Sequence, residues 1–232
     1  AMEGGWRLAA LVFAALILLV AVPLTLWGVR RLGPPRDLPE AGEDRAPVVL
    51  PFGRPAFWFL TLAFPAIALS HGVIIAHILP FLDERGVAPA TALAAVALIG
   101  PSQVAGRVAL MAIGSRAPAQ PALLVVFGVI GAGIALMAVG GPVGLFPAVV
   151  LFGGAYGVVS ILRPVVTAEI LGREGFGRIS GALALPYQAA LAAAPFAGAL
   201  LWSAAGYDVV MGVAVAIVLA GGVAFRAAMA RR

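Results

Sequence analysis

Apolar residues occur along the chain in seven long runs, and short polar or turn-forming segments separate most of them. A transmembrane helix needs about 20 mostly apolar residues, because the hydrocarbon core of a bilayer is about 30 Å thick. Each run is long enough for this. The pattern therefore predicts an all-α membrane protein with seven spanning helices, at residues 7–29, 56–80, 88–113, 119–140, 145–170, 179–204 and 208–228.

The breaks between the runs are of two kinds. Residues 30–55 form the one long polar stretch and are rich in proline and charge. Such a composition is typical of a linker. The other breaks are tight turns rich in glycine or proline. We therefore expect a single helix at 1–29, a cytoplasmic linker at 30–55 and a six-helix bundle at 56–232.

Composition assigns the chain to the bilayer. Hydrophobic residues make up 62% of the 232 residues, charged residues only 11%, and the mean hydropathy is +1.08. Soluble domains contain about 45–50% apolar and about 25% charged residues. The polar surface that a water-soluble enzyme needs is therefore missing. Cysteine is also absent, so the sequence offers neither disulfides nor a thiolate metal site.

The basic residues predict the orientation. All 15 are arginine, so a retinal Schiff base, which needs a lysine, is excluded. The arginines lie between the apolar runs rather than in one patch, which argues against nucleic-acid binding. One side of the predicted membrane carries eleven of them, and the other only Arg7 and Arg85. Arginine-rich loops lie on the cytoplasmic side of a membrane. We thus expect a bacterial inner-membrane protein with its N-terminus outside and its C-terminus in the cytoplasm.

Polar side chains within the fifth run are the first candidates for a binding site. Tyr156, Ser160, Arg163 and Thr167 share one helical face. Charged groups in the hydrocarbon are costly and usually face a cavity. Arg163 therefore either binds substrate in a cavity or extends to the cytoplasmic head groups.

Other runs add further candidates. Gln103 and Arg107 lie four residues apart and share a face, for substrate contact or for structural pairing. Tyr187 and Gln188 follow Pro186, where a kink can place polar groups near the membrane midplane. His71 either lines the cavity or packs through a hydrogen bond.

No metal or cofactor is expected. His71 and His77 are six residues apart and point about 120° away from each other on a helix, so they cannot share a zinc ion. The motifs of zinc proteases, P-loop enzymes and serine hydrolases are absent from the sequence. The chain is therefore not expected to be an enzyme.

Two glycine pairs are predicted to let helices approach closely. Gly153 and Gly157 form one small-xxx-small motif, and Gly177 and Gly181 form another. We expect these glycines to let helices pack closely and to let them slide past each other during a conformational change.

Two loop motifs resemble the major facilitator superfamily of transporters. Residues 106–116, which begin Gly106-Arg107 and end Ser115-Arg116, are similar to the family's loop between the second and third helices of a bundle. Ser115 replaces the family's usual Asp. Residues 169–181 are similar to the loop between the fourth and fifth helices. The resemblance implies cytoplasmic gating residues at Arg116, Glu169, Arg173 and Arg178.

The resemblance also implies an architecture. Members of the superfamily have two six-helix bundles joined by a long cytoplasmic loop. On that template residues 7–29 are the last helix of the first bundle and residues 56–228 the whole of the second. A missing N-terminal bundle would then be a partner. The alternative is a complete seven-helix receptor or a structural subunit of a membrane complex.

A finer resemblance concerns residues 99–107, which are similar to a helix of monocarboxylate and oxalate–formate type carriers. Some of these carriers have an acid four residues before the arginine, where this chain has Gln103. The resemblance implies a small carboxylate or other organic anion as substrate, with H+ or a counter-anion as coupling partner. Anion binding by Arg107 is compatible with Gln103, whereas proton coupling through that position is not.

Overall fold

The computed structural model describes residues 5–32 and 51–231, and all their regular elements are helices. The chain divides into two compact units, Ala1–Ala46 and Pro47–Arg232. Within the described residues, six helices are long and apolar enough to cross a membrane. The predicted all-α membrane fold is therefore confirmed. Residues 33–50, most of the predicted linker, lie outside the described residues.

The first unit contains one apolar helical run in three parts. Helix α1 (Gly5–Leu16) passes through a π-helical segment (Ile17–Ala21) into α2 (Val22–Leu32). The backbone N–H of Val22 donates to the carbonyl of Ile17, five residues back. Pro23 follows and has no N–H to continue the α-helical pattern. The widened turn therefore lies where the proline disrupts the helix.

The second unit contains the remaining helices. They are α3 (Pro55–Glu84), α4 (Pro89–Ala97), α5 (Ile99–Ile113), α6 (Ala119–Val139), α7 (Gly141–Leu171) and α8 (Phe176–Ala230).

Helix α8 is two helices joined by a sharp break. Its 55 residues would extend about 80 Å if straight, more than twice the hydrocarbon thickness. Gly206 interrupts it with φ 77° and ψ 175°, a conformation that is nearly restricted to glycine. Residues 176–205 are the first arm and residues 207–230 the second arm. The predicted spans 179–204 and 208–228 lie within the two arms.

Helices α4 and α5 together make the predicted span at 88–113. They meet at Leu98, three residues before Pro101. Pro101 cannot donate to the carbonyl of Ala97, so the regular pattern is broken there. The result is one span with an interruption near its middle.

Helix α3 packs against both arms of α8. Gly72 lies against Leu191 and Ala194 of the first arm. On the second arm, the carbonyl of Ala214 accepts a hydrogen bond of 3.0 Å from Ser70 Oγ. Further along, Gly198 of the first arm lies against His77, and Gly221 of the second arm lies against Ala66. The first arm therefore runs parallel to α3 and the second arm antiparallel to it.

Helix α6 completes the core by packing on α7 and on the second arm. Its Phe127 stacks on Phe225, with 5.8 Å between the ring centroids. Both rings are fully buried, as is Phe152 of α7. One continuous cluster of buried apolar residues, which includes these three rings, therefore extends across α6, α7 and α8.

The motif at Gly153 and Gly157 does bring two helices together. A methyl group at Gly157 would overlap the backbone of Gln103, and one at Gly106 would overlap the carbonyl of Gly154. Helices α5 and α7 are thus in backbone contact. By contrast, a Cβ built at Gly177 or Gly181 would meet no neighbouring helix within 4 Å in the described residues, so this pair makes no close helix contact within the second unit.

Candidate functional site

The centre of the candidate site is a stack of rings between α3 and α7. The imidazole of His71 lies parallel to the ring of Tyr156, with 3.3 Å between centroids and 2° between planes. Phe152 lies one turn away and also stacks on His71, at 5.3 Å. The Nδ1 atom of His71 is buried and has no hydrogen-bond partner among the described residues. A buried polar atom without a partner is costly, so a hydrogen bond to this nitrogen would stabilise the site.

A hydrogen bond connects this stack to the first arm of α8. The hydroxyls of Tyr156 and Tyr187 are 2.8 Å apart. The guanidinium of Arg163 lies over the ring of Tyr187, with Cζ 4.2 Å from its centroid. This distance is typical of a cation–π contact. His71, Tyr156, Tyr187 and Arg163 thus form one chain of contacts across three helices, which we call the ring relay.

Arg163 also lines a cavity of about 200 Å³ between α3, α7 and the first arm. Within residues 5–32 and 51–231, its guanidinium has neither a carboxylate nor a hydrogen-bond acceptor. Ser160 and Thr167 line the same cavity, and their hydroxyls donate to carbonyls of their own helix. The predicted polar face of the fifth run therefore borders a cavity, with an unpaired cation in its wall.

Arg107 and Gln103 occupy the contact between α5 and α7 instead. Arg107 Nε donates to the carbonyl of Gly157 over 3.1 Å, and Ser160 Oγ donates to the same oxygen. Gln103 presents its backbone to Gly157. The terminal nitrogens of Arg107 have no acceptor in the described part of the chain. Arg107 thus lies beside the polar face of α7. Its Nε is used in the contact between α5 and α7, and its terminal nitrogens are not.

The remaining predicted site residues lie outside the ring relay. Gln188 follows Tyr187 on the first arm and is exposed. Arg116, Arg173 and Arg178 are exposed at the end of the bundle where α5 and α7 terminate. At the same end, the carboxylate of Glu169 accepts a hydrogen bond of 3.0 Å from Gln120 Nε2.

Arg54 is a residue of this end that the sequence did not indicate as functional. Its two terminal nitrogens donate to the carbonyls of Leu171 and Ile170, each over 3.1 Å. These carbonyls are among the last of α7 and have no partners within the helix. Arg54 therefore connects the start of α3 to the end of α7.

The ring relay lies where helices approach one another sparsely. Helix α7 packs closely on α5 and α6, and α3 packs closely on α8. Helices α3 and α7 touch at few points, as do α7 and α8, whereas α6 connects the two groups by packing on the second arm of α8. No group of three His, Asp or Glu side chains that could hold a metal occurs in the described ranges. Aromatic rings and one guanidinium thus meet where α3, α7 and the first arm of α8 approach one another.

Several long apolar helices define a multi-pass membrane protein, and polar side chains of α7 face a cavity within it. The family model described as Major Facilitator Superfamily matches residues 1–195. The chain belongs to this superfamily, and its function is the membrane transport of a solute. No curated protein matches the chain.

Proposed function

We propose that the chain takes part in carrying a small organic anion across the membrane by alternating access, and that Arg163 binds the anion. The observation that carries this proposal is the half-buried guanidinium of Arg163 beside a cavity, without a counter-ion in the described residues. An unpaired cation in a low-dielectric site strongly favours an anion. Stacking on Tyr187 holds the guanidinium in place and leaves its N–H groups free.

A carboxylate is the anion that fits best. The planar guanidinium can donate two parallel hydrogen bonds to a carboxylate. The hydroxyls of Tyr156 and Tyr187 and the free Nδ1 of His71 add polar groups within the same cluster. The cavity of about 200 Å³ is below the usual range of about 300–1,000 Å³ for drug-sized ligands, so the substrate should be small.

A second bundle is proposed to supply the other wall of the path. Helix α5 packs closely on α7 alone, and only 11% of the most apolar window in the α4–α5 span is buried. On the first arm of α8, one face is exposed at every third or fourth residue and contains Gly177, Gly181 and Gln188. Small residues allow close helix approach. These two uncovered faces support docking of a further bundle, with the arginine-rich end of this one in the cytoplasm.

Coupling to H+ or to a counter-anion is part of the proposal. Gln103 cannot accept a proton at the position where related carriers have an acid. His71 is the imidazole of the ring relay, and a proton bound there would alter the electric field at the substrate. If the carrier instead exchanges two anions, Arg163 would bind one anion on its way in and the other on its way out.

Binding to the purified protein tests the anion site. We expect small carboxylates to stabilise the protein against heat, whereas the matched neutral amides do not. Arg163→Gln should abolish this stabilisation. Arg226→Gln is the control, because it removes one exposed arginine of the second arm that does not line the cavity. Equal carboxylate binding by the wild type and Arg163→Gln would contradict the assignment.

Uptake tests the need for a second bundle. We expect proteoliposomes that contain only this chain to show no saturable uptake of a carboxylate that binds. Saturable uptake by this chain alone would refute the second-bundle proposal and leave the anion site intact.

A further inference from the structure

A second cavity lies at the other end of the bundle, where α3 ends and α7 begins. Its volume is about 740 Å³, within the usual range for small-molecule sites. It is formed between α3, α6, α7 and the second arm of α8. We call it the terminal crevice, and its walls include Phe81, Met137, Leu145, Met211 and Val215.

The position of the crevice relates it to the membrane surface. Trp202 and Tyr207 lie at this end with 5.7 Å between their ring centroids, and Trp202 Nε1 donates to Glu84. Tryptophan and tyrosine are enriched at the boundary between hydrocarbon and head groups. Asp208 at the mouth and Val215 in the wall are seven residues apart on the second arm, about 10 Å along a helix. The crevice thus runs from the head-group level into the hydrocarbon.

Two opposite charges lie at the mouth. Arg85 forms an ion pair with Asp208, stacks on Phe81 and donates to the carbonyl of Ala138 over 3.4 Å. The side chain of Asp208 is 83% exposed, so its carboxylate can accept further hydrogen bonds. The guanidinium of Arg85 can bind a phosphate, and the neighbouring carboxylate of Asp208 can bind an ammonium group. The two charges together are therefore complementary to a zwitterionic head group.

The surrounding charge selects between kinds of lipid. Asp83, Glu84 and Asp208 give this end three carboxylates, against the single guanidinium of Arg85 in its described part. A head group with net negative charge is therefore disfavoured. A zwitterionic head group with a primary ammonium is favoured, because it can donate hydrogen bonds to Asp208, whereas a trimethylated ammonium cannot.

We propose that the terminal crevice binds one phospholipid from the bilayer with an ethanolamine head group. Its phosphate contacts Arg85, its ammonium contacts Asp208, and one acyl chain lies along Met211 and Val215. Such a site would bind lipid at the end of the bundle opposite to Arg54, and it is separate from the ring relay.

Gly212 offers a clean way to test this inference. It lines the crevice, and a Cβ at this position would meet no atom of the described residues within 4 Å. The Cβ of Gly212→Phe therefore meets no neighbouring helix, and we expect its ring to occupy the crevice. Gly128→Phe is the matched control, because Gly128 is an exposed helical glycine of α6 with equally open space and lies outside the crevice.

Native mass spectrometry of the delipidated protein would measure lipid binding. We expect phosphatidylethanolamine to bind roughly tenfold more tightly than phosphatidylcholine or phosphatidylglycerol. Asp208→Asn should remove the preference of ethanolamine over choline. Gly212→Phe should abolish tight binding, and Gly128→Phe should not.

Equal affinity for the three lipids in the wild type would overturn the proposal. An unchanged ethanolamine preference in Asp208→Asn would also overturn it. If Gly212→Phe does not fold, the Asp208→Asn comparison still decides the result. If small carboxylates bound tightly to the wild type and Gly212→Phe blocked this binding, the crevice would be the site of the transported solute and not of a lipid.

Discussion

His71 of α3 and Tyr156 of α7 lie face to face, although the two helices touch at few other points. Tyr156 is in turn hydrogen-bonded to Tyr187 of the first arm. One aromatic ring therefore connects three helices. These contacts are lost if α3, α7 and the first arm of α8 move apart.

The hydrogen bond between the two tyrosines should be measurable by a double-mutant cycle. Tyr156→Phe, Tyr187→Phe and the double variant keep the rings, and so keep the stack on His71 and the contact with Arg163. We expect a coupling free energy of about 0.6 kcal/mol, the average for such bonds within membranes. Unfolding of the purified protein would give this value. Additive effects of the two substitutions would contradict a direct bond.

Gly157 is predicted to be intolerant of even one added carbon. In Gly157→Ala, the methyl group must displace the backbone of Gln103, so α5 has to move away from α7. We expect a loss of about 1–3 kcal/mol in unfolding free energy, typical of overpacking. Thermal unfolding in detergent would measure it. Gly181→Ala is the control, since the space at Gly181 is open. A similar loss in both variants would show that helix packing is not the cause.

Gly206 is predicted to be required for its backbone conformation. Its φ of 77° with ψ 175° is poorly accessible to any residue with a side chain. Gly206→Ala should cost about 1–3 kcal/mol. Gly212→Ala, six residues later in regular helix with open space, should be neutral or stabilising by up to about 1 kcal/mol. Chemical unfolding of both variants tests the contrast, and equal stabilities would refute it.

Arg54 is predicted to hold the end of α7. Arg54→Ala removes two charge-assisted hydrogen bonds to Leu171 and Ile170 and leaves those carbonyls without their partner. We expect a loss of about 1–3 kcal/mol, with faster hydrogen exchange confined to the end of α7. Arg54→Lys keeps the charge near the helix C-terminus but cannot reproduce the forked geometry, so it should restore only part of the protection. Full protection in Arg54→Ala would exclude this role.

Much of the fold could be predicted from the sequence because the bilayer imposes a simple rule of length and polarity. The all-α membrane fold, the break between two spans at Gly206 and the polar face that contains Arg163 all follow from it. Periodicity also identified Gly153 and Gly157 as a helix contact. At Gly177 and Gly181 the same motif faces open space, because small residues permit close packing but do not specify a partner.

The site itself was predictable only in part. His71, Tyr156, Tyr187 and Arg163 were each candidates from their own helices, but the sequence could not show that they touch. Their contacts depend on which faces of α3, α7 and α8 meet, and helical periodicity within one segment carries no information on this. The forked contact of Arg54 was missed for a related reason. Its acceptors are backbone carbonyls, which have no signature in the sequence.

The sparse contact between α3 and α7 has a mechanical consequence. Helix α3 packs closely on α8, and α5 packs closely on α7, since backbone contact at Gly106 and Gly157 prevents separation within that pair. Helix α6 joins the two pairs, because it packs on both α7 and the second arm of α8. Displacement of α7 along α3 is therefore opposed mainly by the ring relay and, at one end of the bundle, by Arg54. A shift of a single ring width would break the stack on His71 and move Arg163 away from the cavity wall.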